Sequence, residues 1–419
     1  MVDFRNNLDL GLEIGSGSTS AGSGGNYSRV ISVTDNVNTA SDVARMSGVI
    51  SSSHPYHGLV KDGNGVLELT GTNTYVGSTT VAQGTLRVSR DANLGNDPDA
   101  AYAIVGTATQ GAVVINGGAT LEATDTFTLS STRSLLLASG ATGTTASQVS
   151  VAAGKQLTFG GKIGNYIGEV GSLDKTGTGV LILGGVSEYT GTTKVSAGTL
   201  VVNGSIASSS GVEVASGAFL GGHGNVGSLS GAGQVGPGNS PGILTATSVN
   251  GTGGLDFAFE FTLANTAPIY GNASASGNDV LRLTSGTPFT ASLNAANDIA
   301  IYLNAGSIGV GDTFYGGFYA DSGDYFSSIS SANFVYYVAD AGGSYTYGGQ
   351  NYSLYASELI EWSTVAQTAN FGTGDVNGYV MRLEVVPEPS TWLLLSVGLG
   401  TLLIFRRRSG RTASSGGAA

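Results

Sequence analysis

The sequence predicts an all-β chain wound as a parallel β-helix, followed by a β-rich cap or sandwich domain and then a single C-terminal hydrophobic helix. Three observations carry this prediction. Glycine supplies 68 of 419 residues, about twice the share usual in globular chains. A long segment recurs at a fixed offset. Short runs of alternating apolar and polar residues are separated by glycine-bearing corners. The glycines keep no three-residue period, which excludes collagen, and 41% apolar content is enough to build a core.

The repeat is the strongest signal. Residues 61–88 align without gaps to residues 175–202, with 15 of 28 positions identical. The shared pattern is K-x-G-x-G-V-L-x-L-x-G-x-x-x-Y-x-G-x-T-x-V-x-x-G-T-L-x-V. A looser element, an aliphatic residue followed by a Gly corner and a Leu, recurs at 81–86, 115–121, 151–157, 195–200 and 214–220. Alternation with a period of two marks strands with one buried face. Glycine at the corner gives backbone angles that a Cβ would oppose. Short strands with similar corners at near-regular spacing suit the rungs of a solenoid, each covering the next. At 20–25 residues per rung, Thr and Ser would take the outward positions. A row of antiparallel sandwiches with similar turns is the alternative fold.

Composition shifts after residue 250. Residues 251–386 hold 12 of the 18 tyrosines, 9 of the 14 phenylalanines, 12 acids and two bases, Arg282 and Arg382. Strand-like runs fall at 255–263, 279–283, 299–303, 334–338 and 380–385. This stretch is either a separate sandwich or the solenoid continued and capped, since an open terminal rung is an aggregating edge. The expected division is an N-terminal β segment (1–58), a β-helical repeat region (59–250), an acidic aromatic-rich β domain (251–386), a sorting segment with a membrane helix (387–408) and a disordered tail (409–419).

Charge and cysteine content narrow the function. Net charge is −12, and without the tail arginines residues 1–390 carry 29 acids against 13 bases. Such a body repels anionic polymers, so nucleic acid is not an expected partner. With no cysteine, disulfide frameworks, thiolate metal sites and cysteine nucleophiles are excluded.

Few residues suggest chemistry. His54 and His57 stand three apart, but Pro55 opposes the helix that would aim both at one metal. His223 lies in a Gly corner and reads as a turn residue. Asp321 and Asp324, with Asp312, read first as polar turns; an oxygen-rich loop holding a calcium ion is the alternative. Asp97 and Asp99, near Asp91, read first as a polar turn; the alternative is a loop projecting from a rung, where two carboxyls at suitable separation cleave glycosidic bonds. Tyr315, Phe318 and Tyr319, with Tyr325 and Phe326, are either a glycan-stacking surface or aromatic core. No catalytic residue, cofactor or firm metal site is expected.

The C-terminal end is a different object. Pro387-Glu388-Pro389 precedes a 15-residue apolar run from Thr391 to Phe405, followed by Arg406, Arg407 and Arg408. As a helix the run would span about 22 Å, and the arginines would stay on the cytoplasmic side. This order resembles the PEP-CTERM sorting signal of Gram-negative bacteria. The resemblance implies recognition of Pro387, Glu388 and Pro389 by an exosortase-type membrane enzyme, with the helix as a transient inner-membrane anchor. Proteins of that kind carry an N-terminal export signal. Residues 1–14, interrupted by Asp3, Asp9 and Glu13, do not form one, so the true start is expected to lie upstream.

The repeats are similar to the autotransporter-associated β-strand repeat of bacterial passenger domains, and residues 211–224 and 236–242 are similar to segments that follow it. The resemblance implies a β-helical stalk. A membrane barrel of alternating strands, which self-translocating proteins need, is not read in this sequence. The expected function is an exported cell-surface or matrix protein, structural and adhesive, not an enzyme, and associated with exopolysaccharide or biofilm. A β-helix carbohydrate-active enzyme and a non-catalytic carbohydrate-binding protein are the alternatives.

Overall fold

The computed structural model describes residues 2–5, 8–9, 28–35, 43–52, 57–97, 111–139, 145–238, 242–262, 278–285, 289–291, 299–303, 308, 310–321, 329, 333–347, 350–355, 360–370 and 375–386. These residues are almost entirely β, without an α-helix among them. Three long rows of strands dominate: a 12-stranded sheet, an 11-stranded sheet and a 6-stranded sheet. The pairings within the 12- and 6-stranded sheets are parallel, as are those of the 11-stranded sheet up to Phe334–Ala339. The chain therefore winds as a solenoid, visiting a different sheet at each corner.

The corners are where the sequence placed them. Val81 ends strand Thr79–Val81 of the 6-stranded sheet, and Leu86 lies in Thr85–Val88 of the 12-stranded one. Val195 and Leu200 likewise flank the corner from Thr193–Val195 to Thr199–Val202, now between the 12- and 11-stranded sheets. Gly84 and Gly198 occupy equivalent turns with φ of 64° and 66°. A Cβ at either would lie 2.5 Å from a carbonyl oxygen of the preceding coil, Gly63 O or Gly179 O. Glycine is required there both by left-handed backbone and by space.

Each copy of the repeat spans two successive coils at one corner. In the first copy Lys61 pairs with Val81 and Val66 with Thr85; in the second, Lys175 pairs with Val195 and Val180 with Thr199. Coils inside the repeat thus run 20 and 19 residues. Outside it the step varies, from 42 residues between Phe257 and Ile299 to 15 between Phe219 and Gln234. The two copies sit on different corners, one face apart. The repeat encodes a corner, not a fixed side of the rod.

Inside, side chains stack in register. Leu67, Leu86, Leu121 and Val149 form one row across four coils, all within a single core that extends to Val385. Each coil buries its inward residues on the next, so no coil has a core of its own. Outside, charges alternate along one register row: Asp3, Arg45, Glu68, Arg87 and Glu122. Arg45 Nε donates to Glu68 at 2.7 Å and Arg87 Nε to Glu122 at 3.0 Å. Half-buried pairs that water still reaches add little stability. They do penalise slippage, because a one-residue shift would move the charges to the inner face.

The solenoid continues past residue 250. Val235 pairs with Phe257, Phe257 with Ile299 and Ile299 with Phe334, all in parallel. It then ends in antiparallel hairpins. Gln350–Tyr355 pairs with both Phe334–Ala339 and Tyr345–Tyr347. Asp375–Val385 lies between Thr313–Ala320 and Ile360–Asn370. The aromatic-rich stretch is therefore the last coils and their closure, not a separate sandwich. The segments proposed for the apolar helix and disordered tail, 387–419, lie outside the described residues. Among the described residues no helix is long and apolar enough to cross a membrane.

Replacing Gly198 by Ala is expected to destabilise the solenoid by more than about 1 kcal/mol, through positive φ and the carbonyl contact together. The same change at Gly217, where the space is open, bears only the φ penalty. Denaturant midpoints of the two variants should rank in that order.

Candidate functional site

The repeat's polar positions turn out to be internal fastenings. Lys61 and Lys175 are fully buried, at inward positions of otherwise aliphatic rows. Lys61 Nζ donates to the carbonyls of Asp62 (3.1 Å), Gly63 (2.6 Å) and Gln83 (2.9 Å). Lys175 Nζ donates to those of Thr176 (2.8 Å), Gly177 (2.8 Å) and Ala197 (3.1 Å). Each ammonium uses its three protons to tie two successive turns together. Burial pushes both lysines down to about 8.

The repeat tyrosine plays a companion part. Tyr75 and Tyr189 are buried, and each shares a 2.6 Å hydrogen bond with Thr79 or Thr193 Oγ1. Burial pushes Tyr75 up to about 12 and raises Tyr189 further. These are neutral hydroxyls satisfied inside the core, as buried polar groups must be. In Lys-x-Gly and Tyr-x-Gly-x-Thr, the repeat's shared pattern spells out how a polar corner is closed.

The carboxylates singled out from sequence are committed elsewhere. Asp91 receives Arg133 Nε at 2.7 Å, and this buried guanidinium also donates to the carbonyls of Leu94, Gly95 and Gly111. Asp97 accepts from Ser130 Oγ at 2.8 Å and Thr132 Oγ1 at 2.5 Å; Asp99 lies outside the described residues. Asp321 is clasped by Arg282, with two N–H donors at 2.8 Å. Asp312 borders Thr313–Ala320, and Asp324 lies outside the described residues. Among the described residues no three His, Asp or Glu side chains gather as a metal-binding group. His57 is buried, His223 half-buried, and His54 outside the description.

Among the aromatic candidates, Phe318 and Tyr319 are fully buried. Phe318 packs edge-on to Phe257 and Phe259 with centroids 5.0 Å away from each. Tyr319 packs with Val280 and Val380. Both belong to the core, which removes them as glycan contacts. Tyr315 is half-buried and bonded to Arg382; Tyr325 and Phe326 lie outside the described residues. Other tyrosines hold the outer face. Tyr302 stacks on Tyr337 (4.9 Å between centroids, 12° between planes), Tyr337 meets Tyr345 at 4.8 Å, and Tyr352 meets Tyr302 edge-on at 5.0 Å. Alternation in 299–303 is the sequence signal for this face: Ile299, Ile301 and Leu303 point in, and Tyr302 points out.

Comparison with known proteins matches the two devices separately. The family model described as passenger-associated-transport-repeat matches residues 59–88 and 173–202, the two coil pairs fastened by Lys61 and Lys175. The PEP-CTERM protein-sorting motif matches residues 385–409. The chain carries passenger-type transport repeats and a PEP-CTERM sorting motif. Among curated proteins it is 30% identical over 149 residues to the adhesin BmaC autotransporter of Brucella suis biovar 1 (strain 1330). That match covers 35% of this chain and only 4% of the relative's length. No solved structure matches.

Replacing Lys175 by Met strands three carbonyls without their donor and is expected to cost about 1–3 kcal/mol at pH 7. The pH dependence has a definite sign. Native Lys61 and Lys175 release their protons near 8, whereas unfolded lysine does so near 10.5, so the unfolded chain binds more protons between these values. The lysine contribution to stability therefore rises with pH from about 8 to 10. Urea midpoints of the wild type and the Lys61→Met/Lys175→Met pair should show this rise only in the former.

Proposed function

We propose that this chain is an exported surface or matrix protein with a mechanical and adhesive role, sorted by an exosortase-type membrane enzyme. The observation that carries the reading is the combination in one chain of a passenger-type repeat solenoid and a PEP-CTERM motif. The solenoid suits a rigid spacer, because every coil is fastened to the next and the strands run across the rod. The motif suits delivery: Pro387, Glu388 and Pro389 are the recognition segment, residues 392–405 a transient inner-membrane anchor, and Arg406, Arg407 and Arg408 its cytoplasmic stop. The partial likeness to an autotransporter adhesin supports the adhesive class.

In this reading the protein is not an enzyme and works in the envelope of a Gram-negative bacterium, beside exopolysaccharide in a biofilm. The tethering of Asp91 by Arg133 and of Asp97 by two hydroxyls favours a structural over a catalytic part for that loop. Intact mass and fractionation of the protein from its native host test the sorting claim. The expected product ends near Pro387–Pro389 and lies outside the inner membrane. A full-length tail retained in the inner membrane or cytoplasm would contradict it.

A further inference from the structure

We propose that the outer face of the last coils, built from Tyr302, Tyr337 and Tyr345 with Tyr352 buried against them, binds an uncharged polysaccharide. This names the ligand class for the adhesive role proposed above and rests on that reading. Strand register puts the four tyrosines on one face. Tyr302 pairs with Tyr337, and Tyr337 with Leu354, which is 61% exposed. Tyr345 pairs with Tyr352 on the neighbouring hairpin. The inward residues of the same strands, Ile299, Ile301, Phe334 and Tyr336, belong to the core. Tyr302, Tyr337 and Tyr345 keep solvent access, whereas Tyr352 is fully buried.

Their arrangement suits a sugar chain more than a protein core. Three ring contacts of 4.8 to 5.0 Å join the tyrosines into one aromatic cluster, which Tyr302, Tyr337 and Tyr345 present to solvent. Tyr345, 46% exposed at the sheet's terminal strand and tilted 53° to Tyr337, offers a ring to solvent. Pyranose rings present C–H faces to such rings and hydroxyls to the polar groups around them. Tyr352 is fully buried, and its hydroxyl has no hydrogen-bond partner among the described residues.

Charge selects the class of glycan. Residues 251–386 carry 12 acids and two bases. Both bases are spent in ion pairs, Arg282 with Asp321 and Arg382 with Glu384. An anionic polymer would meet no free cation among the described residues here and a surplus of carboxylates.

The test is affinity electrophoresis of the purified full chain through native gels holding neutral glucans, a mannan, a galactan or the anionic uronate polymer alginate. Retardation by at least one neutral polymer and none by alginate is expected. Tyr345→Ala should weaken it on the order of tenfold, Tyr345→Phe should keep it, and Glu361→Gln on the other C-terminal sheet should leave it unchanged. Unchanged thermal midpoints confirm that the variants are folded. Retardation by no neutral polymer, by alginate alone, or equally in Tyr345→Ala would overturn the proposal. So would a Tyr345-dependent dimer in sedimentation, which would assign the face to a second copy. Purified protein is used, so failure here leaves the sorting claim untouched, and missorting in the host leaves this assay intact.

Discussion

Parallel stacking of one coil on the next is the constraint from which the rest of the molecule follows. A coil of 19 or 20 residues has no interior until its neighbour closes it. Backbone hydrogen bonds between coils and inward rows such as Leu67, Leu86, Leu121 and Val149 form together or not at all. Three difficulties come with that arrangement. Corner carbonyls turn inward and need donors. Backbones at the turns pass too close for a Cβ. The last coil leaves an edge.

The molecule answers each with a specific residue type. Lys61 and Lys175 donate three protons each to corner carbonyls. Gly84 and Gly198 allow the close approach. Antiparallel hairpins end the parallel run, consistent with the need to protect a terminal edge. The passenger-type repeat is therefore a description of a fastened corner, which explains how two copies can occupy different faces of the rod.

Much of this was legible in the sequence, for a physical reason. Glycine corners and period-two alternation are local, so the strands at 81–86, 115–121, 151–157, 195–200 and 214–220 could be read directly. The 114-residue offset exposed the repeat but not the face it occupies, because that depends on intervening coils of unequal length. Lys61 and Lys175 stood in the shared pattern without a visible role; an inward lysine is recognisable only once its carbonyl partners are in place. Phe318 and Tyr319 misled because aromatic clustering has the same appearance in a core and on a surface. The outward tyrosines were signalled instead by single aromatic residues alternating with aliphatic ones, as in Ile301-Tyr302-Leu303. Strands 313–320 and 360–370 lay outside the expected runs: the first is buried along much of its length, so a polar outer face does not mark it.

The stacked coil is tested most directly by a distance along its axis, and the absence of native cysteine makes the labelling clean. Register connects Thr85, Thr120, Gln148, Asp174, Lys194 and Glu213 in consecutive coils. At roughly 4.8 Å per coil, spin labels on Thr85→Cys and Glu213→Cys should lie about 24 Å apart before the label arms are added. Double electron–electron resonance should give one narrow distribution near that value. A broad distribution, or a separation of 40 Å or more as expected of a row of independent sandwiches (~40 Å being about one domain diameter), would contradict the account.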